Sequence, residues 1–148
     1  MFLDHLLNLS PHFLSLRSPK QLIQALFEYF EDFKDNFSIA FIYKLPESKQ
    51  YLLIKGKKEE GTTTFNIRDY QTLLKAETSK TLAVLQKNDL EKLNIEPEKH
   101  VVAFPIWFHK NFFGFLLVTS VDKSLLIDES ELSYIQILVN LIGNSFQN

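Results

Sequence analysis

The sequence predicts an α+β domain in which a central antiparallel sheet of about five to six strands is covered on both faces. N- and C-terminal helices are expected on one face, and a segment of short helices and loops on the other. Apolar stretches of strand length follow one another across short turns, and amphipathic helical patterns stand near both ends of the chain. The stretches 100–108 and 111–120 are almost unbroken apolar runs, and a strand that is apolar on both faces needs a covering layer on each side.

The first well-marked helix begins at Pro19. Ser18 is a suitable N-cap, proline is favoured in the first helical turn, and Gln21 can complete a capping box. The apolar stripe that follows predicts a helix to about Lys34. Residues 1–17 are expected to form a separate helical segment in front of the core.

The middle of the chain is predicted to alternate between strands and short helices. In order, the predicted elements are strands 37–44, 51–55 and 62–67, a helix 69–76 with Asp69 as its cap, a brief strand 81–85 and a helical turn 88–93. Most of the predicted strands are joined as hairpins, which favours antiparallel pairing. The segment 61–97 is expected to cover the face of the sheet opposite to the terminal helices.

The closing helix has the strongest local signals. Asp128 is a suitable N-cap and Glu131 can complete a capping box, so a helix is predicted over 129–147. Its apolar arc is wider than one sheet face needs, which favours a homodimer formed through the terminal helices. The residues predicted at this dimer interface are Phe2, Leu6, Leu9, Tyr134, Leu138, Leu141 and Ser145.

Alternation along the two apolar strands predicts which layer each side chain meets. Gly114 has no side chain and allows close approach of a helix, so its face is assigned to the terminal helices. The face that carries Phe115 is assigned to the segment 61–97, where a ligand pocket is one possibility and simple filling by aromatic side chains is the other. The residues predicted to line this pocket are Phe41, Tyr43, Phe65, Leu74, Phe104, Ile106, Phe115 and Leu117.

Composition narrows the classes of function. The 148 residues suit a single domain, and the absence of cysteine rules out thiol catalysis and thiolate metal sites. A net charge of −2 gives no general attraction to nucleic acid or anionic membrane, so neither is expected as a partner. The apolar start lacks a basic region and contains Asp4 and His5, which argues against a signal peptide and favours a cytoplasmic protein. The four histidines have no metal-ligand spacing, and no catalytic motif occurs, so we expect neither a metal, nor a cofactor, nor an enzyme.

Three stretches carry a resemblance to a known family. The strand with Phe104-Pro105-Ile106, the strand 114–118 that begins with glycine, and the acidic opening 127–132 of the closing helix resemble the corresponding motifs of GAF domains. The resemblance covers 18–146 and implies one GAF-like domain over 1–148, similar in architecture to PAS domains. It implies a regulatory or sensory domain that dimerises and controls a linked output module such as a histidine kinase, cyclase, phosphatase or activator ATPase.

The resemblance leaves alternatives open. GAF domains bind a small ligand or prosthetic group between the sheet and the middle segment, or they act as ligand-free dimerisation modules, and a small hydrolase or isomerase on the same scaffold is a third hypothesis. Asp122-Lys123 and Asp128-Glu129 only partly match the cyclic-nucleotide pattern of the family. Bilin attachment and the reduction of methionine sulfoxide require cysteines in this family, and this chain has none.

Overall fold

The computed structural model describes residues 19–31, 37–45, 50–55, 63–96, 98–120 and 129–147. The helices are α1 (Pro19–Glu31), α2 (Gln71–Ser79), α3 (Lys87–Lys92) and α4 (Glu129–Gln147), with a short 3-10 helix at Ile67–Asp69. The strands are β1 (Phe37–Lys44), β2 (Gln50–Ile54), β3 (Thr63–Asn66), β4 (Ala83–Val84), β5 (His100–Phe108) and β6 (Asn111–Ser120).

The strands form one six-stranded sheet in the order β3-β2-β1-β6-β5-β4. Each neighbouring pair is antiparallel, and the longest central strands, β6 and β5, lie side by side. The predicted fold class is confirmed. The strand predicted over 81–85 is reduced to Ala83–Val84 at the edge of the sheet.

Two layers cover the sheet. The helix layer consists of α1 and α4, and the middle layer consists of the 3-10 helix, α2 and α3. The buried core on the helix side consists of Ile23, Leu26, Phe27, Ile39, Phe41, Val102, Phe104, Ile106, Leu116, Val118, Ile135, Val139, Ile142 and Phe146. The buried core on the middle side consists of Ala40, Ile42, Tyr51, Leu53, Ile67, Tyr70, Leu73, Ala76, Leu85, Leu90, Leu93, Val101, Ala103, Phe115 and Leu117. As predicted, the terminal helices and the middle segment cover opposite faces.

A β-bulge near Gly114 decides which side chains share a face. Near the turn, Trp107 pairs with Phe112, but beyond it Ile106 pairs with Gly114 and Phe104 with Leu116, so β6 carries one extra residue. A shift of one residue moves side chains to the opposite face of a sheet. A two-residue hairpin without the bulge would place Phe104 opposite Phe115, on the one face where both were predicted, whereas the bulge places Phe104 on the helix side and Phe115 on the middle side.

The close approach of helix and sheet depends on a different glycine from the one predicted. A Cβ added to Gly114 would lie 1.8 Å from the carbonyl oxygen of Ile42 on β1, and Gly114 has a φ of +137°, so this glycine serves the bulge and the pairing with β1. In α4, a Cβ added to Gly143 would lie 2.6 Å from the carbonyl oxygen of Trp107. Gly143 therefore allows α4 to lie close to the backbone of β5.

The start of α2 differs from the prediction. Asp69 belongs to the 3-10 helix, and the N-cap position of α2 is Tyr70, so Asp69 is not the cap. The side chain of Asn66 accepts a hydrogen bond from the backbone N–H of Arg68 and thereby caps the 3-10 helix instead. At α3, the backbone N–H of Gln86 donates to Asp89 Oδ2 at 3.0 Å.

The described residues include only part of the helical segments that were predicted near the two ends of the chain. Helix α1 is described to Glu31, and the helical segment 1–17 lies outside the described residues. Helix α4 has the predicted bounds. Among the described helices, none combines the length and the apolar character that crossing a membrane would require.

Candidate ligand site between the sheet and the middle layer

Aromatic side chains from four strands and the middle layer form a connected cluster on the middle side of the sheet. Trp107 and Phe112 have ring centroids 5.0 Å apart, and Phe112 lies 5.2 Å from Phe115. The ring centroid of Tyr51 lies 6.3 Å from that of Phe112 and 6.1 Å from that of Phe65, so Tyr51 connects these two rings. Phe65 then lies 4.7 Å from Tyr70. We refer to these six residues as the aromatic cluster.

One polar contact joins the aromatic cluster to α2. The hydroxyl of Tyr51 on β2 donates a hydrogen bond to Glu77 Oε1 at 2.5 Å. Burial raises the pKa of the Tyr51 hydroxyl well above its ordinary value of 10.0, and the hydrogen bond to Glu77 and the charge of that carboxylate raise it further. The neutral tyrosine therefore stays a donor, and it fixes the position of a carboxylate at the rim of the cluster.

The indole of Trp107 has an unused donor. Its Nε1 is buried and has no hydrogen-bond partner within the described structure. Buried donors are normally paired, so an orphaned N–H marks a place where a ligand acceptor or a water would be stabilising. On the ring face, the ammonium of Lys80 lies 4.5 Å from the ring centroid.

The opposite end of the cluster is closed by contacts within the middle layer. Lys92 Nζ donates to the carbonyl oxygen of Asp69 at 2.8 Å and lies 5.6 Å from the ring centroid of Tyr70. Burial raises the pKa of the Tyr70 hydroxyl, and the negative charges of Asp69 and Asp89 add to this. Lys55, which directly follows β2, donates to the carbonyl oxygen of Asn94 at 3.0 Å, and its pKa is lowered by burial. Lys92 thus connects two elements of the middle layer, and Lys55 connects this layer to the end of β2.

The eight residues predicted to line a ligand pocket do not share one face. Phe65, Leu74, Phe115 and Leu117 belong to the middle side of the sheet. Phe41, Tyr43, Phe104 and Ile106 belong to the helix side, where Tyr43 packs against Phe146. The bulge is the physical reason on β5, because Phe104 pairs with Leu116 instead of Phe115. On β1, Phe41 also pairs with Leu116 and therefore faces the helices.

The residues that the structure adds to the candidate site are Tyr51, Glu77, Lys80, Trp107 and Phe112. Trp107 was missed because the predicted pocket took Phe104 and Ile106 from β5, and Trp107 lies on the other face of that strand. A lone glycine inside an apolar strand is a known signal of a bulge, so Gly114 could have indicated the shift. No sequence pattern indicates the contact of Tyr51 with Glu77, because these residues are far apart in the chain.

The predicted dimer interface is only partly described. Leu141 is half-buried, and the backbone of α4 is described at Tyr134, Leu138 and Ser145, whose side chains are not. Phe2, Leu6 and Leu9 lie outside the described residues. On the outer side of α4, Ile137 is 54% exposed.

Among the described residues, no three or more His, Cys, Asp or Glu side chains lie together in a group that could hold a metal ion. His109 lies in the β5–β6 turn, with its ring 4.2 Å from that of Phe108. His100 is at the start of β5, where it pairs with Ser120. The two described histidines are therefore at opposite ends of β5.

Known structures share this arrangement of sheet and layers. The GAF domain of a phosphoenolpyruvate-protein phosphotransferase from Acinetobacter has a TM-score of 0.70 and 18% identity, over 98% of this chain and 92% of that one. The corresponding GAF domain from Coxiella burnetii has a TM-score of 0.75 and 12% identity, over 99% and 92%. The chain has the GAF-domain fold. No protein-family model and no curated protein sequence matches it.

The GAF fold also includes an enzyme among the similar structures. The free methionine-R-sulfoxide reductase of Neisseria meningitidis, solved in complex with its substrate, has a TM-score of 0.75 and 12% identity, over 99% of this chain and 88% of that one. Identities this low show the fold and carry no activity across. This chain has no cysteine, so it offers no thiol chemistry.

Proposed function

We propose that this chain is a non-catalytic regulatory domain that binds a small ligand between the sheet and the middle layer. In this proposal it dimerises through its terminal helices and controls a linked signalling output module, as the resemblance to GAF domains implies. The ligand site is the aromatic cluster, with Trp107, Phe112 and Tyr51 at its centre. Support comes from the fold, which in two similar reductase structures is in complex with a substrate and in two other similar structures is a domain of a phosphotransferase.

The observation that carries the proposal is that the side chain of Trp107 and its backbone contact different layers. Its side chain lies in the aromatic cluster, 5.0 Å from Phe112, and carries an unused Nε1 donor. Its backbone carbonyl lies against α4 at Gly143. A ligand that moves the indole therefore acts on the strand segment that α4 contacts at Gly143.

The mechanism that follows is a shift between two arrangements of the domain. A ligand that binds the closed middle layer more tightly than an opened one increases the population of the closed arrangement. Because α4 packs on β5, the position of Trp107 can bias the packing of the helix layer, and the output module would sense that packing through the dimer. The ligand has an effect only to the extent that it binds the two arrangements differently.

Native mass spectrometry of the protein purified from cells tests the proposal. We expect a dimer mass that exceeds twice the denatured chain mass by the mass of a bound small molecule, and we expect the excess to vanish on denaturation. The Trp107→Leu variant should keep the dimer and lose the added mass. A dimer of unmodified mass at all protein concentrations, together with no binding in a ligand screen, would contradict the ligand half of the proposal.

A second candidate is a dimerisation or protein-interaction module without a small-molecule ligand. The exposure of Ile137 on the outer side of α4 favours it, because a partner that covered this side chain would remove apolar surface from water. Native masses separate the two candidates, since both give a dimer and only the first gives added mass.

A further inference from the structure

Five side chains form a closed circuit at one end of the aromatic cluster. Helix α2 contributes Glu77 and its C-cap residue Lys80, and the sheet contributes Tyr51, Phe112 and Trp107. Starting at Glu77, the contacts run to Tyr51, then to Phe112, then to Trp107, and the ammonium of Lys80 returns from the indole to α2. These contacts bring three aromatic rings and one carboxylate together between the sheet and α2.

Each of these groups favours a positive charge beside it. The faces of aromatic rings attract cations, and tryptophan does so most strongly. The Glu77 carboxylate is held at the rim by the Tyr51 hydroxyl. Helix α2 ends here, and the C-terminal end of a helix carries partial negative charge. The backbone of Lys80 is in the left-handed conformation, with a φ of 59° and a ψ of 26°, which ends α2 at the residue whose ammonium reaches the indole.

A cationic group of the chain itself already lies on one of these rings. The ammonium of Lys80, 4.5 Å from the Trp107 ring centroid, occupies the ring face that an external cation would use. The lysine is otherwise exposed to solvent, so it can leave the ring without unfolding of the layer. A flexible, exposed lysine is a weak occupant, because holding it on the ring restricts a long side chain.

We infer that the circuit of Glu77, Tyr51, Phe112, Trp107 and Lys80 is a site for a small organic cation, of the methylated ammonium class, which displaces the Lys80 ammonium from the Trp107 ring. This rests on the proposed function, whose ligand site it assigns to a chemical class. Ring faces offer charge stabilisation without hydrogen-bond acceptors, and Glu77 already accepts from Tyr51. A cation without N–H groups therefore suits these rings and the Glu77 carboxylate better than a primary amine does.

The probe is choline, and the readout is the fluorescence of Trp107, which is the only tryptophan in the chain. Titration at constant ionic strength, with sodium chloride replaced by choline chloride, separates binding from screening. The uncharged isostere 3,3-dimethylbutan-1-ol has the same shape without the charge and reports apolar binding alone. We expect saturable quenching or a spectral shift with choline and at least about a fivefold weaker response to the isostere.

Removing the Lys80 ammonium from the Trp107 ring gives the most direct test. Lys80→Asn vacates the ring with a short residue that tolerates the left-handed conformation, so the fold should be kept. Choline should bind this variant about fivefold more tightly than the unaltered chain. Lys75→Asn is the matched control, because it removes the same charge from an exposed position on the same helix. Glu77→Gln should weaken choline binding in the Lys80→Asn background, and thermal unfolding followed by circular dichroism confirms that each variant is folded.

The outcomes distinguish this inference from the proposed function. Equal responses to choline and to its uncharged isostere would overturn the cation site and leave an apolar ligand site. No response to choline in either the unaltered chain or Lys80→Asn would also overturn it. A co-purified ligand seen by native mass spectrometry would then still support the proposed function. Equal gains in Lys80→Asn and Lys75→Asn would show general electrostatics instead of displacement from the ring, and would overturn the role of Lys80.

Discussion

On the helix side of the sheet, α4 packs on β5 through its buried residues Ile135, Val139, Ile142 and Phe146. On the middle side, the cover is divided among helical elements of three, nine and six residues. The buried core of the helix side consists entirely of aliphatic and phenylalanine side chains, while the middle side also carries Tyr51 and Tyr70 among its buried residues. Exposed hydrogen bonds of Lys55 and Lys92 to backbone carbonyls help to hold the middle layer.

This difference indicates separate tasks for the two layers. A long helix that packs on the core strands has a high free-energy cost of opening. Short elements with exposed hydrogen bonds open locally at a lower free-energy cost. The middle layer is therefore suited to admit a ligand, and the helix layer is suited to report its presence to a partner.

The largest effect is expected from disrupting the β-bulge near Gly114. Gly114→Ala places a Cβ 1.8 Å from the carbonyl oxygen of Ile42, at a φ of +137° that side chains rarely adopt. The β1–β6 pairing must then shift. We expect loss of cooperative thermal unfolding by circular dichroism, and a normal, cooperative transition would show that the bulge is not required.

A matched pair of truncations compares the two faces directly. Phe104→Ala on the helix side and Phe115→Ala on the middle side each remove a fully buried ring, and each should lower the free energy of unfolding by about 3–5 kcal/mol. Phe115 contacts Phe112, which contacts Trp107, so only Phe115→Ala should clearly change the emission of Trp107. Denaturant titration and fluorescence spectra check both points, and equal spectral changes would contradict the separation of the faces.

Adding a methyl group between α4 and β5 tests the contact that links the site to the helix layer. Gly143→Ala brings a Cβ to 2.6 Å from the carbonyl oxygen of Trp107, so the helix must move away, at about 1–3 kcal/mol. We expect a stable dimer whose ligand affinity is no longer altered by dimerisation. Ligand titrations below and above the dimer dissociation constant measure this. A dependence on dimerisation that Gly143→Ala leaves unchanged would contradict the proposed link.

The polar contact between β2 and α2 should have a smaller effect. Tyr51→Phe leaves Glu77 without its donor and should cost about 1–2 kcal/mol. The pKa of the Tyr51 hydroxyl is raised in the folded chain, so its contribution is complete below pH 10.0 and is lost as the pH rises above that value. The unaltered chain should therefore lose stability above pH 10 more steeply than Tyr51→Phe. Urea unfolding at a series of pH values checks the slope, and identical slopes would contradict the assignment.

The smallest effect on stability is expected at the outer side of α4. Ile137→Asp alters a residue that is 54% exposed, and the change in unfolding free energy of the monomer should stay within about 0.5 kcal/mol. The proposed dimer should weaken at the same time, as measured by light scattering. Val84→Asp is the control, because Val84 is similarly exposed but lies on β4 at the sheet edge. A dimer that persists in Ile137→Asp would place the interface elsewhere.

The sequence predicts the elements of this fold better than the composition of its site. Period and capping residues indicate α4 and both central strands, because these signals are local. The face of each strand depends on the pairing register, and the single extra residue near Gly114 moved Phe104 and Ile106 to the helix side. The contacts of Tyr51 with Glu77 and of Lys80 with Trp107 join residues 26 or more positions apart, and local patterns do not encode them.

Hydrogen–deuterium exchange of the ligand-free protein tests the difference between the two layers most directly. Peptides from 71–93 in the middle layer should exchange faster than peptides from 100–120 and from the buried stripe of α4, because the middle layer opens locally. Choline should slow exchange in 71–93 and leave the central strands unchanged. Equal protection of the middle and helix layers, opening only with global unfolding, would contradict the claim that the middle layer admits the ligand.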